Sequence, residues 1–284
     1  MRAYAELVRA PAALTVLGDT LAGAAAAGVP LRGRRLLLPL ASVALYWSGM
    51  ALNDWADRNL DATERPERPI PSGRVSPRAA LATATALTAT GLGLAAVAGG
   101  RDAVAVAVPL AAAVWSYDTV LKDTAAGPLA MAVCRGLDVL LGAGRHRVVD
   151  ALPAAAVLAG HTLGVTVLSR GEVHGTSPAT AKAVLGGTTA TTAAVLARPG
   201  RTWQHRLGAV AGAATYATTV GRAQLAALRD PGARAVRSAT KTGIHGMVPL
   251  QSALVARAGS PLVAAALALV LPLARRLSRK VGPT

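Results

Sequence analysis

The chain has 284 residues, of which 52% are hydrophobic and only 15% are charged, and its mean hydropathy is +0.42. Soluble domains carry roughly 25% charged residues, so this composition argues against a soluble domain and favours close-packed membrane helices. The formal net charge is +16, but the basic residues stand in short clusters between apolar runs, as membrane loops require. We therefore expect no nucleic-acid partner.

Apolar runs long enough to cross a bilayer, about 20 residues each, recur along the whole chain. The candidate spans are 11–29, 36–52, 79–99, 103–121, 128–144, 151–168, 180–197, 207–226, 237–256 and 260–277. The ninth is the weakest, because Lys241 and His245 fall in its first half. We predict an all-α, polytopic transmembrane bundle of nine to ten spans, forming a single integral-membrane domain over residues 1–284.

The distribution of basic residues predicts the orientation of this bundle. The segments on the side of the N-terminus hold more Arg and Lys than those on the opposite side, which favours a cytoplasmic N-terminus. The longer loops, 53–78, 169–179 and 227–236, lie on the same side. Loops of this length within a domain are usually functional. We expect an integral protein of a bacterial cell membrane whose active face is cytoplasmic.

An acidic stripe begins where the second predicted span ends. Asn53, Asp57 and Asp61 are spaced i, i+4, i+8, which places them on one face of a helix. Like charges at this spacing repel without a cation, and three oxygen-bearing side chains suit a hard cation such as Mg²⁺. The alternative is a solvated acidic turn, which the position at a membrane span argues against.

A basic, proline-rich segment follows the acidic stripe between Arg65 and Arg74. Its three prolines stiffen the backbone, and its guanidinium groups can bind phosphate oxygens bidentately. Mg²⁺ is typically held by one or two carboxylates together with substrate phosphates. The two elements together indicate a diphosphate site, and the apolar bundle around them suggests a prenyl diphosphate.

The order of these residues resembles a known family signature. The run is Asn53-Asp54-x-x-Asp57-x-x-x-Asp61, followed by Glu64-Arg65-Pro66-x-Arg68-Pro69-x-Pro71-Ser72-Gly73. It resembles the first signature of the UbiA superfamily of intramembrane prenyltransferases. The resemblance implies an all-helical membrane bundle that transfers a prenyl chain from its diphosphate to an acceptor and uses Mg²⁺.

Carried over residue by residue, the resemblance assigns the donor site. Asn53, Asp57 and Asp61 would bind the diphosphate through Mg²⁺, and Asp54 would support them. Arg68 and Arg74 would face the phosphates.

Tyr117 and Lys122 resemble a Tyr and Lys element that follows the family's fourth span. By this resemblance Lys122 would neutralise diphosphate charge and Tyr117 would contact substrate. Many members carry an Arg after the Lys, whereas Asp123 stands here. The alternative is an interfacial Tyr and a Lys whose charged head reaches out to the membrane surface.

Arg135, Asp138 and Asp19 are ionisable residues inside predicted spans. Such residues usually mark a functional site. Arg135 and Asp138 lie three apart and could pair on one helix. We predict that both bind substrate, with structural polar pairing as the alternative for all three.

The second family signature is where this chain departs from the pattern. Most members carry two or three Asp residues in the loop after the sixth span, whereas this chain has Ser169-Arg170-Gly171-Glu172-Val173-His174-Gly175. We predict that Glu172 is a catalytic residue that offers an oxygen to a cation. His174 would act as a base or hydrogen-bond donor to substrate. A plain solvated loop is the alternative. The departure suggests a divergent branch whose acceptor is not a standard quinone precursor.

The sequence therefore predicts Mg²⁺-dependent transfer of a prenyl chain from a prenyl diphosphate to a small acceptor in the membrane. The predicted catalytic residues are Asp57, Asp61, Lys122 and Glu172, and the expected partners are the donor, the acceptor and membrane lipid. A non-catalytic isoprenoid-lipid binding or transport protein that retains the diphosphate site is the alternative.

Overall fold

The computed structural model describes residues 2–29, 31–197, 200–269 and 272. Within them all regular secondary structure is helical, as predicted. The α-helices are α1 (Arg2–Leu7), α2 (Leu17–Ala26), α3 (Leu38–Ala56), α4 (Arg58–Glu64), α5 (Pro77–Ser116), α6 (Gly127–Ala143), α7 (Val148–Ser169), α8 (Pro178–Leu196), α9 (Trp203–Arg229) and α10 (Ala233–Arg257). Residues 261–269 form a further helix.

Short non-α turns connect or extend these helices. They are the 3₁₀ turns Ala10–Thr15, Gly33–Leu37 and Arg145–Arg147, and the π turn Tyr117–Leu121. The first nine predicted spans each overlap one of the observed helices, including 237–256 despite Lys241 and His245. The last part of the predicted span 260–277 lies outside the described residues.

Three helical stretches in the described part of the chain are long and apolar enough to cross a bilayer: Gly33–Ala56, Pro77–Leu121 and Arg145–Ser169. The second contains a sharp turn at Gly100, whose φ of 60° is a conformation that favours glycine. Trp115 Nε1 donates to Thr88 Oγ1 at 3.0 Å, so the limbs on either side of this turn lie side by side. The prediction of two spans, 79–99 and 103–121, is therefore confirmed.

Helix α6 lies between two apolar cores. Its Val139 packs with residues of α2, α7, α9 and α10, whereas its Cys134 and Leu141 pack with α3 and α5. Glycines let α6 approach α2 closely: a Cβ on Gly23 would overlap the carbonyl of Val139, and one on Gly142 would overlap the carbonyl of Thr20. Small residues at such crossings are typical of membrane helix pairs.

A buried polar pair joins helices of the core that contains Val139. His161 Nε2 lies 3.0 Å from the carbonyl oxygen of Gly243, which can only accept, and His161 Nδ1 lies 2.8 Å from the hydroxyl of Tyr216. The histidine is therefore the neutral tautomer that donates from Nε2 to Gly243 and accepts from Tyr216. These two bonds tie α7 to α9 and α10.

We expect Tyr216→Phe to destabilise the protein by about 1–3 kcal/mol, because it leaves the buried Nδ1 of His161 without a donor. SDS-induced unfolding in mixed micelles measures this change. Tyr4→Phe is the matched control, since Tyr4 is 45% exposed. Equal stability of the two variants would show that the Tyr216 hydroxyl does not hold the helices together.

Candidate functional site

The acidic stripe lies at the junction of α3 and α4. Asp57 separates the two helices with φ −83° and ψ 0°. The α-helical hydrogen-bond pattern nevertheless continues across it: the backbone N–H of Asp57 donates to Asn53 O at 2.9 Å, and that of Asp61 donates to Asp57 O at 2.8 Å. Because the helical repeat continues, Asn53, Asp57 and Asp61 keep the common face that their spacing predicts.

The carboxylates of Asp54, Asp57 and Asp61 are each paired with a basic side chain from elsewhere in the chain. Arg68 Nη1 contacts Asp61 Oδ2 at 2.6 Å and Asp54 Oδ1 at 3.4 Å. Arg9 Nη2 contacts Asp54 Oδ1 at 3.1 Å, and Lys122 pairs with Asp57. Asp54 and Asp61 are buried, and buried carboxylates without such partners would cost several kcal/mol each.

The π turn Tyr117–Leu121 sets the position of Lys122. The N–H of Lys122 donates to Tyr117 O at 2.9 Å, which spans five residues instead of four. Such π turns are rare and are frequent at functional sites. The turn also buries Asp118, whose Oδ1 accepts from Asn53 Nδ2 at 3.3 Å. Because Asn53 donates through Nδ2, its carbonyl oxygen stays available to a cation.

The oxygens of Asn53, Asp57 and Asp61 are the kind of ligand that Mg²⁺ prefers. Across the described residues, however, no group of three or more Asp, Glu, His or Cys side chains is arranged around one metal position. Asp57 and Asp61 pair with Lys122 and Arg68 instead. These oxygen ligands fit Mg²⁺ in kind. To bind it, the carboxylates of Asp57 and Asp61 must release Lys122 and Arg68.

A cavity of about 90 Å³ opens beside the stripe, between α3, α5 and α6. Its polar lining residues include Tyr117, Asp118, Arg135 and Asp138. Its remaining walls are mainly apolar and include Leu45, Met50, Leu110, Val114 and Met131. The structure thus brings Tyr117 of the π turn and Arg135 and Asp138 of α6 to one cavity.

Arg135 and Asp138 do not form the pair that their spacing suggested. Arg135 forms an ion pair with Asp19 of α2. Asp138 Oδ2 accepts a hydrogen bond from Ser42 Oγ of α3 at 2.7 Å. Helix packing therefore gives each residue a partner on another helix.

Arg74 makes its contacts away from the acidic stripe. It pairs with Glu6 of α1 and donates to the carbonyl oxygen of Glu67 at 2.6 Å. The hydrogen bond from Arg74 lowers the pKa of Glu6. The structure places Arg74 between α1 and the proline-rich segment, so its predicted contact with phosphate stays a prediction.

The loop after α7 is held by backbone contacts. Arg170 donates to the carbonyl oxygen of Thr124, two residues after Lys122, and Arg237 Nη1 donates to Glu172 O at 2.6 Å. The Glu172 side chain is half-buried and that of His174 is exposed. Neither makes a hydrogen bond or ion pair within the described residues. The structure therefore does not join these two side chains to the stripe.

Two residues of the cluster were not predicted as site residues: Arg9, which pairs with Asp54, and Asp118, which accepts a hydrogen bond from Asn53. Asp118 had a sequence signal, because it is an acidic residue within the predicted span 103–121. Arg9 stands 45 residues before its partner Asp54, and no local spacing relates them. Its backbone φ of 47° is in the left-handed region, which is uncommon for a non-glycine residue.

A family model described as the UbiA prenyltransferase family matches residues 13–239. Among curated relatives, the digeranylgeranylglyceryl phosphate synthase of Methanopyrus kandleri is 47% identical over 85 residues. This alignment covers 28% of the chain and 30% of the relative. The chain thus matches less than a third of the length of that relative.

Solved structures with the same fold cover most of the chain. The apo structure of a UbiA homolog from Aeropyrum pernix K1 gives a TM-score of 0.67 at 19% identity and covers 85% of this chain and 96% of that chain. The structure of a UbiA homolog from Archaeoglobus fulgidus, bound to DMAPP and Mg²⁺, gives a TM-score of 0.61 at 12% identity. The match covers 98% of this chain and 98% of that chain. At these identities the likeness establishes the fold alone.

We expect Arg68→Met to destabilise the protein by about 3–5 kcal/mol, because it leaves Asp61 as a buried, unpaired charge. Adding Asp61→Asn to the same chain should recover much of this loss. SDS unfolding of the two single variants and the double variant measures the coupling. Arg65→Met, at an exposed residue of the same segment, is the control. Additive effects of the two substitutions would contradict the expected coupling.

Proposed function

Because the chain belongs to the UbiA prenyltransferase family, we propose that it transfers a prenyl chain from a prenyl diphosphate to a small acceptor. The observation that carries this proposal is the pairing of Asp57 with Lys122 and of Asp61 with Arg68. One cluster thereby offers oxygen ligands for a divalent cation and basic groups for phosphate oxygens. When a metal diphosphate binds, the carboxylates would bind the metal ion, and the basic groups would bind the phosphate oxygens.

In this proposal Asn53, Asp57 and Asp61 hold Mg²⁺, and Asp54 keeps Arg9 and Arg68 in position. Bound there, Mg²⁺ would supply Lewis-acid stabilisation of the leaving diphosphate. Lys122 and Arg68, released from Asp57 and Asp61, would bind the phosphate oxygens. A phosphate contact for Arg74 would require it to leave Glu6.

The transfer breaks the bond between C1 of the prenyl chain and the bridging diphosphate oxygen, and the electron pair leaves with the diphosphate. Lys122 and Arg68 offset the charge that develops there. A nucleophilic atom of the acceptor forms the new bond to C1 and loses its proton. The apolar walls of the cavity beside Tyr117, such as Leu110 and Val114, would limit capture of the prenyl cation by water.

The comparisons support the donor class and the cofactor. A structure with this fold is that of a UbiA homolog bound to DMAPP and Mg²⁺, and a relative is named digeranylgeranylglyceryl phosphate synthase. The chain is an integral membrane protein by family and by its apolar helices. We propose that it works in a bacterial cell membrane, in contact with lipid, and that the acidic stripe faces the cytoplasm. The excess of basic residues on that side supports this orientation.

A carrier that binds prenyl diphosphate without turnover is the second candidate. The observation that favours it is the loop 170–175, which has no Asp and whose Glu172 side chain makes no polar contact in the described part of the chain. In the enzymatic proposal Glu172 assists catalysis and His174 contacts the substrate when the loop meets bound ligand.

We expect Asp57→Ala to lower turnover of a labelled prenyl diphosphate by at least about 100-fold, because it removes a cation ligand and leaves Lys122 without its partner. The measurement uses purified protein with Mg²⁺ and donors of several chain lengths, and circular dichroism checks the fold. Glu64→Ala, at the exposed end of α4, should keep activity within about twofold. Full activity of Asp57→Ala would rule out the proposed donor site.

Turnover by the native protein separates the two candidates, and Glu172→Gln tests the predicted role of Glu172. If the chain is an enzyme, this variant should lower kcat by about 10–100-fold and leave the Kd for the donor within about twofold. The control is Glu67→Gln, an exposed residue. Unchanged kcat would remove Glu172 from the catalytic set. Donor binding by the native protein without turnover over a broad acceptor panel would favour the carrier.

A further inference from the structure

A large cavity opens at the end of the bundle opposite the acidic stripe. This end cavity has a volume of about 490 Å³ and lies where α2 and α10 end and where α7 and α9 begin. Helix α10 connects the two ends of the bundle, because its Arg237 contacts the loop after α7 and its Arg257 lies at the cavity. A second cavity of about 470 Å³, the side groove, lies between α7 and α8. Pro153 and Arg257 line both, so the two cavities adjoin at these side chains.

The end cavity carries an excess of positive charge. Among the described residues, its ionisable lining consists of Arg201, His205, Arg257 and Asp150. The carboxylate of Asp150 already accepts from Arg147 Nη1 at 3.2 Å, so a residue outside the lining compensates its charge. Neither the Arg201 guanidinium nor the His205 ring makes a hydrogen bond or ion pair with a described residue. Guanidinium forks and an imidazole N–H in one cavity suit the oxygens of a phosphate group.

Arg257 is half-buried at the junction of the two cavities. Its Nη1 donates to the carbonyl oxygens of Ala194 and Val195 at 3.2 and 3.1 Å. These bonds hold the guanidinium beside the last turn of α8, at the mouth of the side groove. A phosphate that meets Arg257 there can therefore carry an attached chain that enters the groove.

The side groove itself is mainly apolar. Apart from Arg257 and Thr191, its walls are Pro153, Ala156, Val157, Ala190, Ala194 and Ala197. From Ala197 to Ala190 it extends about 10 Å along α8, at the rise of an α-helix. In a bilayer the headgroups lie at the helix ends and the hydrocarbon lies further in. A basic cavity at the helix ends that adjoins an apolar groove between helices thus matches the polarity of a phospholipid.

We propose that the end cavity and the side groove together bind an anionic phospholipid. Its phosphate contacts Arg201, His205 and Arg257, and one acyl chain lies between α7 and α8. The positive charge selects an anionic headgroup, and the apolar walls select a lipid over a free phosphate ion. The bound lipid joins α7, α8, α9 and α10 at this end of the bundle. Because the acidic stripe lies at the other end, the inference does not depend on the proposed function.

The test compares probes that share parts of one structure: dioleoylphosphatidylglycerol, dioleoylphosphatidylcholine and dioleoylglycerol. Native mass spectrometry of the full chain in a neutral detergent measures the Kd of the first bound lipid. We expect phosphatidylglycerol to bind about tenfold more tightly than either other lipid, as charge-assisted hydrogen bonds to its phosphate predict. Inorganic phosphate at the same concentration should not displace it. Equal binding of dioleoylglycerol, or displacement by phosphate, overturns the proposal.

A charge variant tests the end cavity. Arg201→Gln should weaken phosphatidylglycerol binding about tenfold and leave the Kd for dioleoylglycerol within about twofold, because it removes a charge and keeps the groove. Arg34→Gln is the matched control, since Arg34 is exposed at the same end of the bundle and lines neither cavity. If both variants weaken phosphatidylglycerol binding equally, the lipid responds to net charge alone and the proposal is overturned.

A size variant tests the side groove. Ala190→Phe should weaken the binding of phosphatidylglycerol and of dioleoylglycerol about fivefold each, because the ring occupies the space of the acyl chain. Ala193→Phe is the control, since Ala193 is exposed on α8 and does not line the groove. Circular dichroism without added lipid checks that each variant is folded. Lipid affinities that are unchanged in Ala190→Phe overturn the proposal.

Discussion

Charge compensation at the junction of α3 and α4 fixes how the surrounding segments are arranged. The carboxylates of Asp54, Asp57 and Asp61 receive basic side chains from three other places in the chain: Arg9, Arg68 and Lys122. An unpaired carboxylate is costly beside apolar helices, so these segments must meet for the chain to fold. The start of the chain, the proline-rich segment and the π turn are thereby held at one end of the bundle.

The same constraint operates within the bundle. Asp19 of α2 is fully buried and is met by Arg135 of α6 and by Gln251 of α10. These contacts join an early helix, a middle helix and a late helix around one carboxylate. The close approach of Gly23 and Gly142 at the α2–α6 crossing brings Asp19 and Arg135 within reach of each other. Small-residue packing and ion pairing therefore depend on one another here.

Compensation also gives the proposed site its chemistry. Without ligand, Lys122 and Arg68 neutralise the carboxylates of Asp57 and Asp61. In the proposed function a bound cation would neutralise these carboxylates instead, and the two basic side chains would then bind phosphate. The loop after α7 differs from this cluster. Arg170 donates to the carbonyl oxygen of Thr124, and Arg237 donates to that of Glu172. The side chains of Glu172 and His174 make no polar contact within the described residues. These hydrogen bonds therefore hold the loop near Lys122 but do not fix the positions of the Glu172 and His174 side chains.

The sequence by itself determined the helices and the acidic stripe, because apolar run length and i, i+4 spacing are local properties of a helix. The predicted spans 79–99 and 103–121 likewise leave the turn at Gly100 between them. Only the tertiary structure decided the partners. Arg9 meets Asp54 across 45 residues and Arg135 meets Asp19 across 116, because helix packing selects contacts that no local spacing encodes.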